Sequence, residues 1–140
     1  MQKYKFLPHT ADAFFEAYGN TYSELLVNSA EAMCSVMYGF EEVKAEKEIE
    51  VNIEGKNKEE LLHNFLEAVL FEISTKEMLF KEFEIKEFDE EKEILKCVLK
   101  GEEIDSARHE LKSEIKAVTW HQFFVKQEGN KWVSQVLVDI

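Results

Sequence analysis

Proline occurs once in 140 residues, glycine five times, cysteine twice, and arginine only at Arg108. So few chain breakers exclude a collagen-like or linker-rich chain and predict regular elements joined by short connections. Two cysteines cannot build a disulfide framework. Cys34 and Cys97 lie far apart among apolar neighbours and are expected as buried, reduced thiols. No apolar run approaches the roughly 20 residues that span a bilayer. The opening MQKYKFLPHT lacks the apolar stretch of a secretory signal. A soluble, cytoplasmic protein is therefore expected. Positive charge is scarce too: 29 acidic residues face 17 basic ones, a net charge of -12. Such a surface repels phosphate backbones, which argues against direct, sequence-independent nucleic-acid binding. Also missing are a P-loop, a G-x-G-x-x-G turn, zinc-type Cys/His spacing and a nucleophile elbow. Their absence favours a non-enzyme, although it leaves a dispersed Ser-His-Asp or Cys-His arrangement open.

What is present fits one domain, residues 1–140, with a single core, since 45% of the chain is hydrophobic. Residues 3–8 and 13–19 read as strands around Pro8-His9-Thr10-Ala11-Asp12. Thr21 and Glu24 form a capping box. The helix after it carries Tyr22, Leu25, Leu26, Ser29, Ala30, Met33, Val36 and Met37 on one face, and Gly39 ends it. Ile49, Val51 and Ile53 alternate with charges as in a half-buried strand. Asn57 and Glu60 cap a second helix, whose stripe is Leu61, Leu62, Phe65, Leu66, Val69, Leu70 and Ile73. His63, near its start, is expected at the surface. Residues 79–88 and 93–101 read as an antiparallel pair with Leu95, Cys97 and Leu99 inward. Strands 117–127 and 131–139 flank the turn signal Glu128-Gly129-Asn130. Helices interrupting strand runs without regular alternation predict an α+β fold: a mostly antiparallel sheet with two main helices packed on one face.

Four segments could carry chemistry. In His9-Thr10-Ala11-Asp12, a carboxylate at a bend between strands could hold a cation; equally, Asp12 could cap a turn. At the other end, Asp139 stands beside the α-carboxylate of Ile140. Hard oxygen donors of this kind select calcium, magnesium or manganese, while a solvated Asp139 on an apolar strand is the alternative. In Lys116-Ala117-Val118-Thr119-Trp120-His121, Thr119 and His121 share a strand face. Lys116 could hold an anion there, and His121 could donate a hydrogen bond or be satisfied by a carboxylate. Lastly, in the acidic stretch Gly101-Glu102-Glu103-Ile104-Asp105, followed by Arg108 and His109, Glu102 or Asp105 could be a further metal ligand or a contact to a basic partner, or the cluster could simply be solvated.

In combination and order these segments resemble one family. His9-Thr10-Ala11-Asp12, the strand from Lys116 to His121, Val138-Asp139-Ile140, the Gly101-Glu102 stretch with Asp105 and His109, and Phe65-Leu66-Glu67 are together similar to archease. The likeness runs from about residue 4 to residue 140. One departure is Trp120, where many members have tyrosine. The resemblance implies a strand-helix-strand-strand module with another inserted into it. It implies a protein cofactor of the RtcB-type RNA ligase of tRNA splicing, promoting guanylylation and multiple turnover. It also implies a metal site, usually described with calcium, at Asp12, Asp139 and Ile140. His9, Glu67, Glu102, Asp105, His109, Lys116 and His121 are candidate partner or anion contacts, with His9, Lys116 and His121 expected around the same surface as the metal. Beside this activator stand two alternatives: a chaperone-like interaction module and a metal-dependent phosphoester hydrolase.

Overall fold

A computed structural model describes residues 2–8 and 12–140. The elements run β1 (Tyr4–Leu7), β2 (Asp12–Gly19), α1 (Tyr22–Met37), a single 3-10 turn (Phe40–Glu42), β3 (Lys47–Glu54), α2 (Lys58–Lys76), β4 (Met78–Asp89), β5 (Ile94–Glu103), β6 (Ala117–Val118), β7 (Phe124–Glu128) and β8 (Lys131–Asp139).

Both helices start where their caps predict. The Glu24 N–H donates to Thr21 Oγ1 (3.1 Å) and the Glu60 N–H to Asn57 Oδ1 (2.8 Å), satisfying donors with no intrahelical acceptor. Each glutamate reaches back to the residue before the cap, Asn20 N (3.3 Å) or Lys56 N (3.2 Å). The end of α1 is set differently from expectation. Tyr38 turns extended there, its hydroxyl accepts from the Phe80 N–H (3.0 Å) and donates to the Phe80 carbonyl (2.7 Å), and Gly39 only follows.

The strands form two antiparallel sheets. One has the order β1-β2-β8-β6, with β7 also paired to β8; the other is β3-β5-β4. The second sheet and α2 form a continuous strand-helix-strand-strand unit, residues 47–103, inserted into an outer unit of the same order. This is the nested arrangement that the resemblance implies, and the fold class is α+β as expected. Period-two alternation sends Phe15, Ala17, Val136 and Val138 towards the helices, where one buried cluster joins them to Leu25, Leu26, Phe65, Leu66 and Leu99. Within it the Ser29 and Ser134 hydroxyls pair at 2.9 Å, locking α1 to β8. Cys34 and Cys97 are buried and unpaired, and burial raises both thiols to about 12.

The stretch read as one strand over 117–127 is broken. Trp120 to Gln122 form a turn, closed by the Phe123 N–H donating to the Trp120 carbonyl at 3.2 Å, with Gln122 at φ 56°. Of that stretch, β6 and β7, on either side of the turn, are the parts that pair with β8.

Candidate functional site

The end of β8 lies between β2 and β6, so Asp139 is flanked by Asp12 on one side and Ala117 on the other. Directly opposed residues of antiparallel strands project to the same face, with Cα atoms about 4.5–5.5 Å apart. Both aspartates therefore leave the face that carries Phe14 and Leu137, away from α1. Backbone bonds fix this end. The Lys116 N–H donates to the Asp139 carbonyl (2.7 Å), and Leu137 O accepts from the Thr119 N–H (3.1 Å) and hydroxyl (2.9 Å). Ile140 follows directly. Its side chain is exposed, so apolar packing does not pin the strand end there.

Among the described residues no three His, Cys, Asp or Glu side chains assemble as a ready metal site. The donors that the register places at this edge are the two aspartate carboxylates. That donor set is all oxygen, the chemistry of hard divalent cations.

The remaining candidates do not all gather here. His9 lies outside the described residues. Lys116 borders a groove beside α2. His121 is not on a strand face shared with Thr119. It sits exposed in the Trp120–Gln122 turn, and its Nε2 meets the Gln122 side chain at 3.1 Å. Glu67 faces β6 from α2 and accepts a long bond from the Val118 N–H at 3.4 Å.

Glu102 and His109 point inward. Glu102 accepts from the Lys44 N–H (2.7 Å), from His109 Nε2 (3.1 Å) and, very closely, from Arg108 Nη2. His109 Nδ1 accepts from the Asp105 N–H at 2.9 Å, so the ring carries its proton on Nε2 and donates to Glu102. Burial alone would raise the Glu102 carboxyl. The bonds from His109, Lys44 and Arg108, with the guanidinium charge, outweigh burial and bring it down to about 2. The expected outward contact of Glu102 and His109 is thus replaced by an internal latch that ties residues 105–109 to β5. Asp105 and Arg108 are its exposed members.

His63 corrects the surface expectation. It is 7% exposed, its Nε2 donates to the Val118 carbonyl at 2.9 Å, and its ring stacks on Trp120 at 3.9 Å and 5°. Phe123 closes the cluster edge-on at 5.3 Å from His63. A helical count could have found it, because His63 lies three and seven residues before Leu66 and Leu70, on the flank of the apolar stripe.

These features define a nested α+β protein with paired carboxylates at one end of its larger sheet. The chain belongs to the archease protein family, whose profile it matches over residues 4–140. It is similar to protein archease of Methanopyrus kandleri (38% identity, 96% of each chain) and of Sulfurisphaera tokodaii (34%, 100% of each). The solution structure of protein 1598 from Methanobacterium thermoautotrophicum superposes over 100% of both chains, with a TM-score of 0.83 at 33% identity. The crystal structure of a Thermotoga maritima archease, described as a possible chaperone, superposes with a TM-score of 0.68 at 26% identity, over 97% of this chain and 96% of that one.

Proposed function

We propose that this chain is a divalent-cation-binding protein cofactor of an RtcB-type RNA ligase, promoting the ligase's guanylylation and repeated turnover in tRNA splicing without being the catalyst. The observation that carries the reading is the register that sets Asp12 opposite Asp139. Like charges set directly opposite each other across an antiparallel pair repel. A cation held between them turns that repulsion into attraction. The α-carboxylate of a chain ending at Ile140 adds a third oxygen group one residue on. Calcium suits this set best because it accepts irregular oxygen geometry, whereas magnesium demands a near-ideal octahedron; manganese is the remaining option. When bound, the ion supplies an exposed positive centre that can engage phosphates or a carboxylate of the partner.

Charge supports a protein partner over direct contact with RNA. The net charge of -12 opposes a phosphate backbone, and lysine contributes every cation but Arg108. A cytoplasmic setting is supported by the two unpaired, buried thiols.

The test is ligation by a cognate ligase, with enzyme limiting, in the presence of wild type, Asp12→Ala or Asp139→Ala. Wild type should raise turnover at least tenfold over the ligase alone, and each variant should lose most of that gain. Equal ligation in all four reactions would sink the assignment. The description of the Thermotoga maritima relative favours a second reading, a chaperone-like interaction module. It predicts broad suppression of aggregation by wild type and Asp12→Ala alike, so the same variant separates the two.

A further inference from the structure

On the α2 face that looks towards residues 104–120 lies an open groove of about 730 Å³, clear of the aspartate face. Its floor is apolar, built from Leu70, Ile73, Ile104 and Ile115. Its rim is acidic, with Glu67, Glu77 and Glu114 against one cation, Lys116. Phe71 stands at this rim 63% exposed. Helix periodicity puts His63, Glu67, Leu70, Phe71 and Ser74 on a single stripe. Trp120, 56% exposed, rests on His63 at the head of that stripe. His63 and Phe71 are eight residues apart, so the two exposed aromatic rings are anchored about 12 Å apart along the helix axis. Large aromatics exposed in line beside a groove mark a contact surface, because tryptophan and phenylalanine gain most from being covered.

The charge pattern identifies what covers it. Three carboxylates against one ammonium, on a chain of net charge -12, repel an acidic segment and attract a basic one. A second copy of this chain would bring the same acidic rim and be repelled. We infer that this groove docks a basic, apolar-faced segment of a protein partner. Its apolar side chains lie along Leu70 and Ile104 between Phe71 and Trp120, and its lysines or arginines face Glu67, Glu77 and Glu114. The inference rests on the ligase reading only in taking the ligase as one of two probes.

The groove thus separates grip from chemistry. Docking uses α2 and the 104–120 segment, while the paired aspartates occupy the other face of the sheet edge. Lys116 joins the two, since its side chain borders the groove and its N–H holds the Asp139 carbonyl.

The experiment maps amide shifts of the 15N-labelled protein with two probes: a model amphipathic helix of leucine and lysine, against its leucine–glutamate counterpart, and the unlabelled ligase. Shifts should gather at residues 63–78 and 104–120, and the lysine helix should bind at least tenfold tighter than the glutamate one. Phe71→Ser, and separately Glu77→Lys with Glu114→Lys, should weaken both probes at least tenfold. Phe6→Ser, which alters an exposed aromatic on β1, should change neither. Circular dichroism and an unchanged melting curve confirm that the variants fold. Shifts elsewhere, or variants that bind like wild type, overturn the groove. Ligase bound and activated through another face overturns the groove and leaves the ligase reading standing. A lysine helix that maps to the groove while the ligase neither binds nor responds does the reverse.

Discussion

Asp12 and Asp139 come from opposite ends of the sequence, 127 positions apart, yet stand as direct cross-strand partners at the last rung of the β2–β8 ladder. Like charges in that relation destabilise a sheet unless something joins them.

This makes the sign of a substitution depend on the ion. Without divalent cations, Asp139→Asn should raise the melting temperature slightly, because it removes a like-charge pairing at an exposed edge. With calcium at 100 times its dissociation constant, wild type should gain about 2.7 kcal/mol and Asp139→Asn little of it. Thermal melts with calcium and with chelator check both halves. A calcium response retained by Asp12→Asn and Asp139→Asn alike would remove the site.

The Glu102 latch predicts a pH dependence. Its carboxyl sits near about 2 in the folded protein, below the ordinary value of 4.5, so the folded state binds the proton less readily than the unfolded one. The latch's stability is therefore complete above about pH 5 and fades as pH falls from there towards 2. The shift corresponds to about 3 kcal/mol, reduced to roughly 2 because Arg108 is partly open to water. Glu102→Gln should lose that amount at neutral pH and show a flatter stability curve between pH 5 and 2, as urea titrations at several pH values would reveal.

Gly101 has a steric role. Beside Phe80 in the β4–β5 pair, a Cβ at this position would stand 1.9 Å from the Leu79 carbonyl oxygen. Since backbone cannot yield cheaply, Gly101→Ala should cost roughly 3 kcal/mol. A drop in melting temperature on the order of 10 °C would register it.

The Ser29–Ser134 pair should behave as a coupled unit. Either single change to alanine leaves a buried hydroxyl alone and should cost about 1–2 kcal/mol, and the double change less than the sum. A double-mutant cycle in denaturant measures the coupling, and strict additivity would show that the 2.9 Å contact contributes nothing.

The thiols should be silent in the native state. Cys34 and Cys97 are buried with their ionisation pushed up to about 12, so a disulfide-exchange reagent should label both only after unfolding. Labelling kinetics with and without denaturant decide this.

Local patterns made most of the fold legible. The caps at Thr21 and Asn57, the stripes of α1 and α2, and the inward row Leu95, Cys97 and Leu99 all stand where period and polarity put them. Failures came where a distant contact overrides the local pattern. His63 reads as polar, yet Trp120 and the Val118 carbonyl draw it under cover. The strand across 117–127 reads as continuous, yet a turn at Trp120–Gln122 divides its pairing with β8.

Composition and periodicity alone determined that this chain folds as α+β, buries both its cysteines and carries a net charge of -12. These follow from properties that each residue carries by itself: apolar area, charge, backbone preference. Which residues meet was decided only in three dimensions. Sheet register brings Asp12 to Asp139, the Glu102 latch turns Glu102 and His109 inward, and α2 turns Phe71 and His63 towards the 104–120 segment. Two of these juxtapositions depend on long chain closure, over 127 positions for Asp12 and Asp139 and 57 for His63 and Trp120, and no local signal encodes those distances.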